Sequence, residues 1–127
     1  MITWNNLDKL TSYQELEKTE SVDLAAVMAG ENGAERVKNY SVPMAEGLAY
    51  NYAAKKVDDT VLAALEKLAE EAQLTEKFEA LYNGEVVNTG EKRLVLHHMT
   101  RGQLGDAVEA DGVDKRTFYV EQQKKIA

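Results

Sequence analysis

Cysteine is missing from this chain altogether, which removes disulfides, thiol nucleophiles and thiolate-held metals in one step. Proline occurs once, at Pro43, and histidine twice, side by side at His97 and His98. Positive charge is scarce: 15 Lys and Arg stand against 22 Asp and Glu, a formal charge of −7. That balance excludes a general nucleic-acid binder, which needs a basic face to displace counterions. It equally excludes a polybasic membrane-surface protein. No apolar run approaches the ~20 residues a spanning helix requires. The opening Met1-Ile2-Thr3-Trp4-Asn5-Asn6 has neither the basic head nor the apolar stretch of a secretory signal. A cytoplasmic location, with no nucleic-acid and no membrane partner, is the expectation.

What is present suffices for a core. Hydrophobic residues make up 44% and charged residues 29% of the 127, and a chain of that length hides about two-thirds of its unfolded surface. Ser12-x-x-Glu15 has the form of a capping box, opening a helix that carries Tyr13 and Leu16. Ser21 is placed to cap Val22–Ala29, with Gly30 ending it. A further turn or two spans Ala34–Asn39. From Tyr40 to Tyr52 the period changes to two: Tyr40, Val42 and Met44 alternate, Glu46-Gly47 interrupts, and Leu48, Tyr50 and Tyr52 alternate again. This predicts a short antiparallel hairpin at about residues 40–52, with Pro43 assigning its first arm to an edge. Asp58 or Asp59 opens the strongest helix, on which Val61, Leu62, Leu65, Leu68, Ala69 and Ala72 form one face. Thr75 is read as the cap of the next, with Phe78, Leu81 and Tyr82 inward and Gly84 closing it. The predicted fold class is mainly α with that one hairpin. Gly102–Asp114 reads as a surface loop, and Asp114 caps a last helix over Lys115–Ile126. That helix has no closing glycine or proline, and a long helix can also run to a chain terminus without either.

The most pointed chemistry lies between Asn83 and Arg101. Asn88 or Thr89 can cap a helix running to Arg101, on which Arg93, His97 and Arg101 fall at steps of four and share a face. Leu94, Val95 and Met99 turn away from it. A cationic row on an acidic chain calls for an anionic partner, with Glu85 and Glu91 its nearest candidates. Thr89-Gly90-Glu91-Lys92-Arg93 and Thr100-Arg101-Gly102 place cations beside glycines where anions are welcome, but neither matches a phosphate-loop pattern. Capping and salt bridges account for both. Adjacent histidines on a helix diverge by about 100°, so they do not chelate one ion as an i, i+4 pair would. His97 is expected to be buried and hydrogen-bonded, His98 at the surface. The serines and threonines are helix caps rather than nucleophiles, and no serine sits in a nucleophile elbow. Glu66, Glu70 and Glu71 form a solvated face rather than a desolvated acid.

Gly84-Glu85-x-x-Asn88, then Glu91-x-Arg93-x-Val95-Leu96-His97, closed by Arg101, resembles the N-terminal region of the phosphoglucose isomerase (glucose-6-phosphate isomerase) family. Glu35-Arg36-Val37-x-x-Tyr40-Ser41, Tyr50-x-Tyr52 to Lys56, and Asp111-Gly112 with the helix after it resemble the family in the same order. The resemblance runs from Ala34 to the C-terminus, with Thr100 and His98 as departures. It implies a parent enzyme of glycolysis and gluconeogenesis that interconverts glucose 6-phosphate and fructose 6-phosphate without a cofactor, as a cytoplasmic homodimer. It also implies that residues 1–127 are a single N-terminal helical segment, cut before the Rossmann-like sugar-phosphate domain of a larger α/β enzyme. The family's phosphate-binding loop, catalytic glutamate and ring-opening histidine and lysine lie beyond the matched region, so no catalytic, cofactor-binding or metal-binding residue is carried over. Arg93, His97 and Arg101 do match family positions, as contacts holding the segment to the rest of the isomerase chain, just outside the active site. A stand-alone helical module binding through the Arg93/Arg101 face is the alternative.

Overall fold

The longest periodic stretch of the sequence becomes the longest helix. Asp58 Oδ1 accepts the Val61 N–H at 2.8 Å and starts the 13-residue helix Asp59–Glu71. The computed structural model describes residues 1–102 and 105–127, so Gln103 and Leu104 of the expected loop lie outside the described residues. Among the described residues six α-helices and two short hairpins occur: α1 Thr11–Leu16, α2 Leu24–Val27, α3 Gly30–Asn39, β1 Ser41–Pro43, β2 Ala49–Asn51, α4 Asp59–Glu71, α5 Leu74–Tyr82, β3 Glu109–Ala110, β4 Val113–Asp114 and α6 Lys115–Ile126. The mainly helical expectation holds, and the hairpin falls where the alternation placed it. The chain divides into two compact units, Asn5–Ala72, and Met1–Trp4 with Gln73–Ala127.

In the 5–72 unit α1 packs on α4. Ser12 is not the cap of α1, which begins one residue earlier. Its N–H and hydroxyl instead donate to the Glu71 carboxylate, joined by the Thr11 N–H at 3.2 Å. A charged acceptor on a packed neighbour prevails over the local capping geometry, and these bonds hold the Glu71 carboxyl below its ordinary pKa. Glu15 pairs with Lys18 at 2.7 Å. Asp23, not Ser21, caps α2, accepting the Ala26 N–H at 3.1 Å, and Gly30 opens α3 rather than closing α2. In the hairpin, Val42 faces Tyr50 and Pro43 faces Ala49. Bonds from Tyr52 N–H to Tyr40 O and from Met44 N–H to Leu48 O flank this register. The ladder bonds therefore belong to the even-numbered residues, and Pro43 sits where an N–H would point outward, a position that tolerates proline.

Arg36 of α3 organises the segment after the hairpin. Its guanidinium is buried and donates to the carbonyls of Ala53 at 2.9 Å, Lys55 at 3.1 Å and Val57 at 2.6 Å. It also lies 4.0 Å from the Tyr40 ring centroid. One side chain thus satisfies three carbonyls of an irregular segment that has no ladder of its own.

In the other unit Gln73 takes a left-handed conformation (φ 53°), and its carbonyl accepts the Lys77 N–H at 2.9 Å. α5 therefore begins at Leu74, ahead of the predicted cap Thr75. Gln73 Oε1 also accepts the Thr3 N–H at 2.8 Å, which ties down the chain start. At the far end Gly84 has φ +74°, its N–H donates to Leu81 O at 3.2 Å and the Glu85 N–H to Ala80 O at 2.9 Å. These are the paired bonds of a Schellman cap. The expected inward line of α5 is corrected at Phe78, which is exposed, while Ala80 is buried. Asp111 and Gly112, both with positive φ, make the tight turn between β3 and β4, giving a second hairpin within the expected loop. Asp114 then caps α6, accepting from the N–H groups of Arg116 and Thr117. The Thr117 hydroxyl contributes most to holding its carboxyl below the ordinary range.

Candidate functional site

The basic stretch does not form the helix predicted from Thr89 to Arg101. Asn88 Oδ1 accepts the Glu91 N–H at 3.1 Å, as a cap would, but Lys92 then turns left-handed (φ 52°). The Arg93 N–H returns to Asn88 O at 3.3 Å, closing a tight loop with an isolated bridge. An asparagine side chain followed by threonine and glycine favours such a local turn over helix propagation. Only His97–Thr100 winds, as a 3-10 turn, with Met99 N–H to Leu96 O and Arg101 N–H to His98 O, both 3.0 Å.

Without the helix the steps of four lose their meaning. Arg93 is exposed, 3.8 Å from the Glu91 carboxylate, and lines a cavity of about 530 Å³ with Lys92, Lys115, Asp111 and Phe118. His97 and Arg101 line a different one, of about 520 Å³, with His98 and Thr100. The shared Arg93/His97/Arg101 face is therefore corrected to two places, and the Arg93/Arg101 face of the alternative reading goes with it. Glu91 does pair with Arg93, as expected. The exposed Glu91–Arg93 pair is of a kind that contributes about 0–1 kcal/mol, and Asp111–Lys115, at 3.2 Å, joins an exposed carboxylate to a half-buried lysine.

The histidines exchange places. His97 is exposed, whereas His98 stacks on Tyr82 with ring centroids 4.4 Å apart and planes 25° apart. Both His98 ring nitrogens are buried without a hydrogen-bond partner. The flat stack gives the His98 ring a large aromatic contact. Met99, beside it, is fully buried. Arg116 is the arginine that sequence patterns did not single out. Buried on α6, it donates to the carbonyls of Asp106 and Tyr82, and its position two residues after the capping Asp114 was the available signal.

Glu15, Glu71 and Asp114 are all pushed down, chiefly by side-chain bonds from Lys18, Ser12 and Thr117. A general acid near neutral pH needs the opposite shift. Tyr40 is raised, by burial first and then by its bond to Asp59. Among the described residues no three of His, Asp and Glu gather as a metal site would require, and no helix is long and apolar enough to cross a membrane.

The organised positions are thus turns and clamps, and they coincide with the family-like motifs: Arg36 and Tyr40, Tyr50 to Lys56, Gly84, Asn88 and Asp111-Gly112. Comparison with known proteins carries this further. The family model for phosphoglucose isomerase matches residues 51–126, from β2 to the last residue of α6. The chain is 52% identical over 128 residues to glucose-6-phosphate isomerase of Treponema denticola, covering 97% of this chain and 24% of that protein. It is 39% identical over 129 residues to the same enzyme of Treponema pallidum strain Nichols, covering 98% and 24%. With the enzyme of Borreliella afzelii it shares 37% over 128 residues, covering 99% and 23%. The chain spans about a quarter of the length of these curated relatives, 24% for the first. A model matched over more than half of the chain, and motifs in family order along the same residues, place the chain in the phosphoglucose isomerase family, as an N-terminal segment.

Proposed function

We propose that this chain is the scaffold quarter of an enzyme that interconverts glucose 6-phosphate and fructose 6-phosphate in glycolysis and gluconeogenesis. The groups that open the ring and move the proton lie in the three quarters that the relatives carry in addition. The observation that carries this reading is the coverage: nearly all of this chain, but only 24% of the Treponema denticola enzyme. The remainder of the isomerase chain is the principal partner, sugar phosphate binds only once that remainder is present, and the complete enzyme is a cytoplasmic homodimer. His97 and Arg101, exposed around one cavity, are contacts to that remainder near the active site, and Arg93 makes a separate one.

The test compares the isolated chain with a full-length chimera in which it replaces the matching quarter of the Treponema denticola enzyme. The isolated chain is expected to leave fructose 6-phosphate unchanged, and the chimera to isomerise it. Turnover by the isolated chain at an ordinary enzymatic rate, or a folded chimera without turnover, overturns the proposal.

A further inference from the structure

The even-numbered residues of the hairpin share one side, because side chains alternate along a strand. Tyr40, Val42, Met44, Leu48, Tyr50 and Tyr52 therefore make a single apolar face. Its tyrosines are ordered against one another, with Tyr40–Tyr52 ring centroids at 5.1 Å and Tyr50–Tyr52 at 6.2 Å. The face continues across Val57 onto Leu62 and Leu65 of α4, enclosing a groove of about 470 Å³ whose one charged lining residue is Lys55. It is open to solvent: Val42 is 45%, Tyr50 47%, Met44 58% and Leu48 64% exposed. Scattered apolar residues on a surface need no explanation, but a continuous, ordered and concave apolar face marks an interaction site.

We infer that this hairpin–α4 face is the seat of an apolar segment from the remaining three quarters of the isomerase chain, with a carboxylate placed for Lys55. The inference rests on the proposed function. The relatives are about four times as long as the stretch matched, which is 24% of the Treponema denticola enzyme, so each carries a large body of further polypeptide in the same chain as this quarter. The hairpin face is the surface of the 5–72 unit built to receive it. Apolar side chains there are already held in place by ring stacking and by the Val42–Tyr50 register, which lowers the ordering cost of docking.

The chain's lack of cysteine gives a direct test. Leu48→Cys and Val42→Cys, with Glu31→Cys on exposed α3 as the reference, are alkylated with a maleimide in the isolated chain and in the full-length Treponema denticola chimera. Modification is read at each position by mass spectrometry. Leu48→Cys and Val42→Cys are expected to react at least tenfold more slowly in the chimera, with Glu31→Cys unchanged. Equal rates in both proteins overturn the inference, and do so even if the chimera is an active isomerase and the proposed function stands. Slow labelling of the isolated chain that becomes fast on dilution also overturns it, because the occupant is then a second copy. A folded chimera that protects the face yet turns over no substrate refutes the proposed function instead.

Discussion

The two units solve the same problem with the same residue and arrive at different surfaces. Each contains a long irregular stretch, and each closes it with a buried arginine reaching main-chain carbonyls: Arg36 takes those of Ala53, Lys55 and Val57, Arg116 those of Asp106 and Tyr82. In the 5–72 unit this pairs three carbonyls and leaves a broad apolar face open. In the other the reverse holds: Met99, Ala80 and Val108 are buried, while both His98 nitrogens and Arg116 Nη1 stay buried and unpartnered. The Arg36 guanidinium, with Nε and Nη2 both bonded, sets an irregular segment firmly. One with an orphan donor carries a desolvation cost beside its contacts.

The contrast is broken most forcefully at Arg36. Arg36→Met strands the carbonyls of Ala53 and Val57 at about 1–3 kcal/mol each, while Lys55 O keeps the Val57 N–H. Arg116→Met also strands two but removes the buried, unpartnered Nη1 with them, so the Arg36→Met denaturation midpoint should fall further. Equal losses would show that the orphan Nη1 makes no difference and that the two clamps are equivalent. Met99→Ala comes next, with about 2–5 kcal/mol lost from the only large side chain that is fully buried among the described residues. Hydrogen exchange should localise that loss to residues 73–127, and acceleration throughout 5–72 would contradict the division into two units.

Gly84→Ala is a smaller intervention, about 1–3 kcal/mol. It puts a side chain in a left-handed conformation, with its Cβ 2.1 Å from Val108 Cγ1 until one of them moves. Gly84→Asn, which tolerates that conformation better but still meets Val108, separates the two causes by the difference in midpoint.

Acid gives the mildest test and should act on both units. The folded-state pKa values of Glu71 and Asp114 are depressed, so each carboxylate stabilises the fold above its ordinary unfolded range. That stabilisation disappears as pH falls through the lowered value. Glu71→Gln should flatten the acid limb of protection at the Ser12 N–H, and Asp114→Asn that at the Thr117 N–H, each leaving the other unit's limb in place. Unchanged limbs in both variants would show that these bonds do not set the acid response.

Much of this fold is legible in the order of residues. The 3.6-residue period of Val61–Ala72, the two-residue period around Glu46-Gly47, Gly84 as a helix stop, and Asp58 and Asp114 as caps all act between residues a few positions apart. Asp111-Gly112 is legible too, since that pair is a strong turn signal, but the glycine-rich and acidic surroundings favour a plain loop. The basic stretch misleads for a different reason. Arg93, His97 and Arg101 obey helical spacing, yet nothing in spacing reveals that Asn88 will hold Glu91 and Arg93 in a turn and that Lys92 will reverse the backbone.

Period and punctuation settled the helices over residues 59–82 and 115–126, the first hairpin and the tolerated place of Pro43, because each depends on contacts within a turn or a strand. The motifs in series carried the resemblance to the family. Tertiary packing alone decided that Ser12 serves Glu71 instead of capping its own helix, and that His98 rather than His97 is sequestered. It also decided that Arg36 and Arg116 lie inside and the tyrosine-lined hairpin face lies outside. Those outcomes turn on partners as far apart as Ser12 and Glu71, 59 positions along the chain. Only folding brings such groups within hydrogen-bonding distance, and only then does burial determine which of them must be paired.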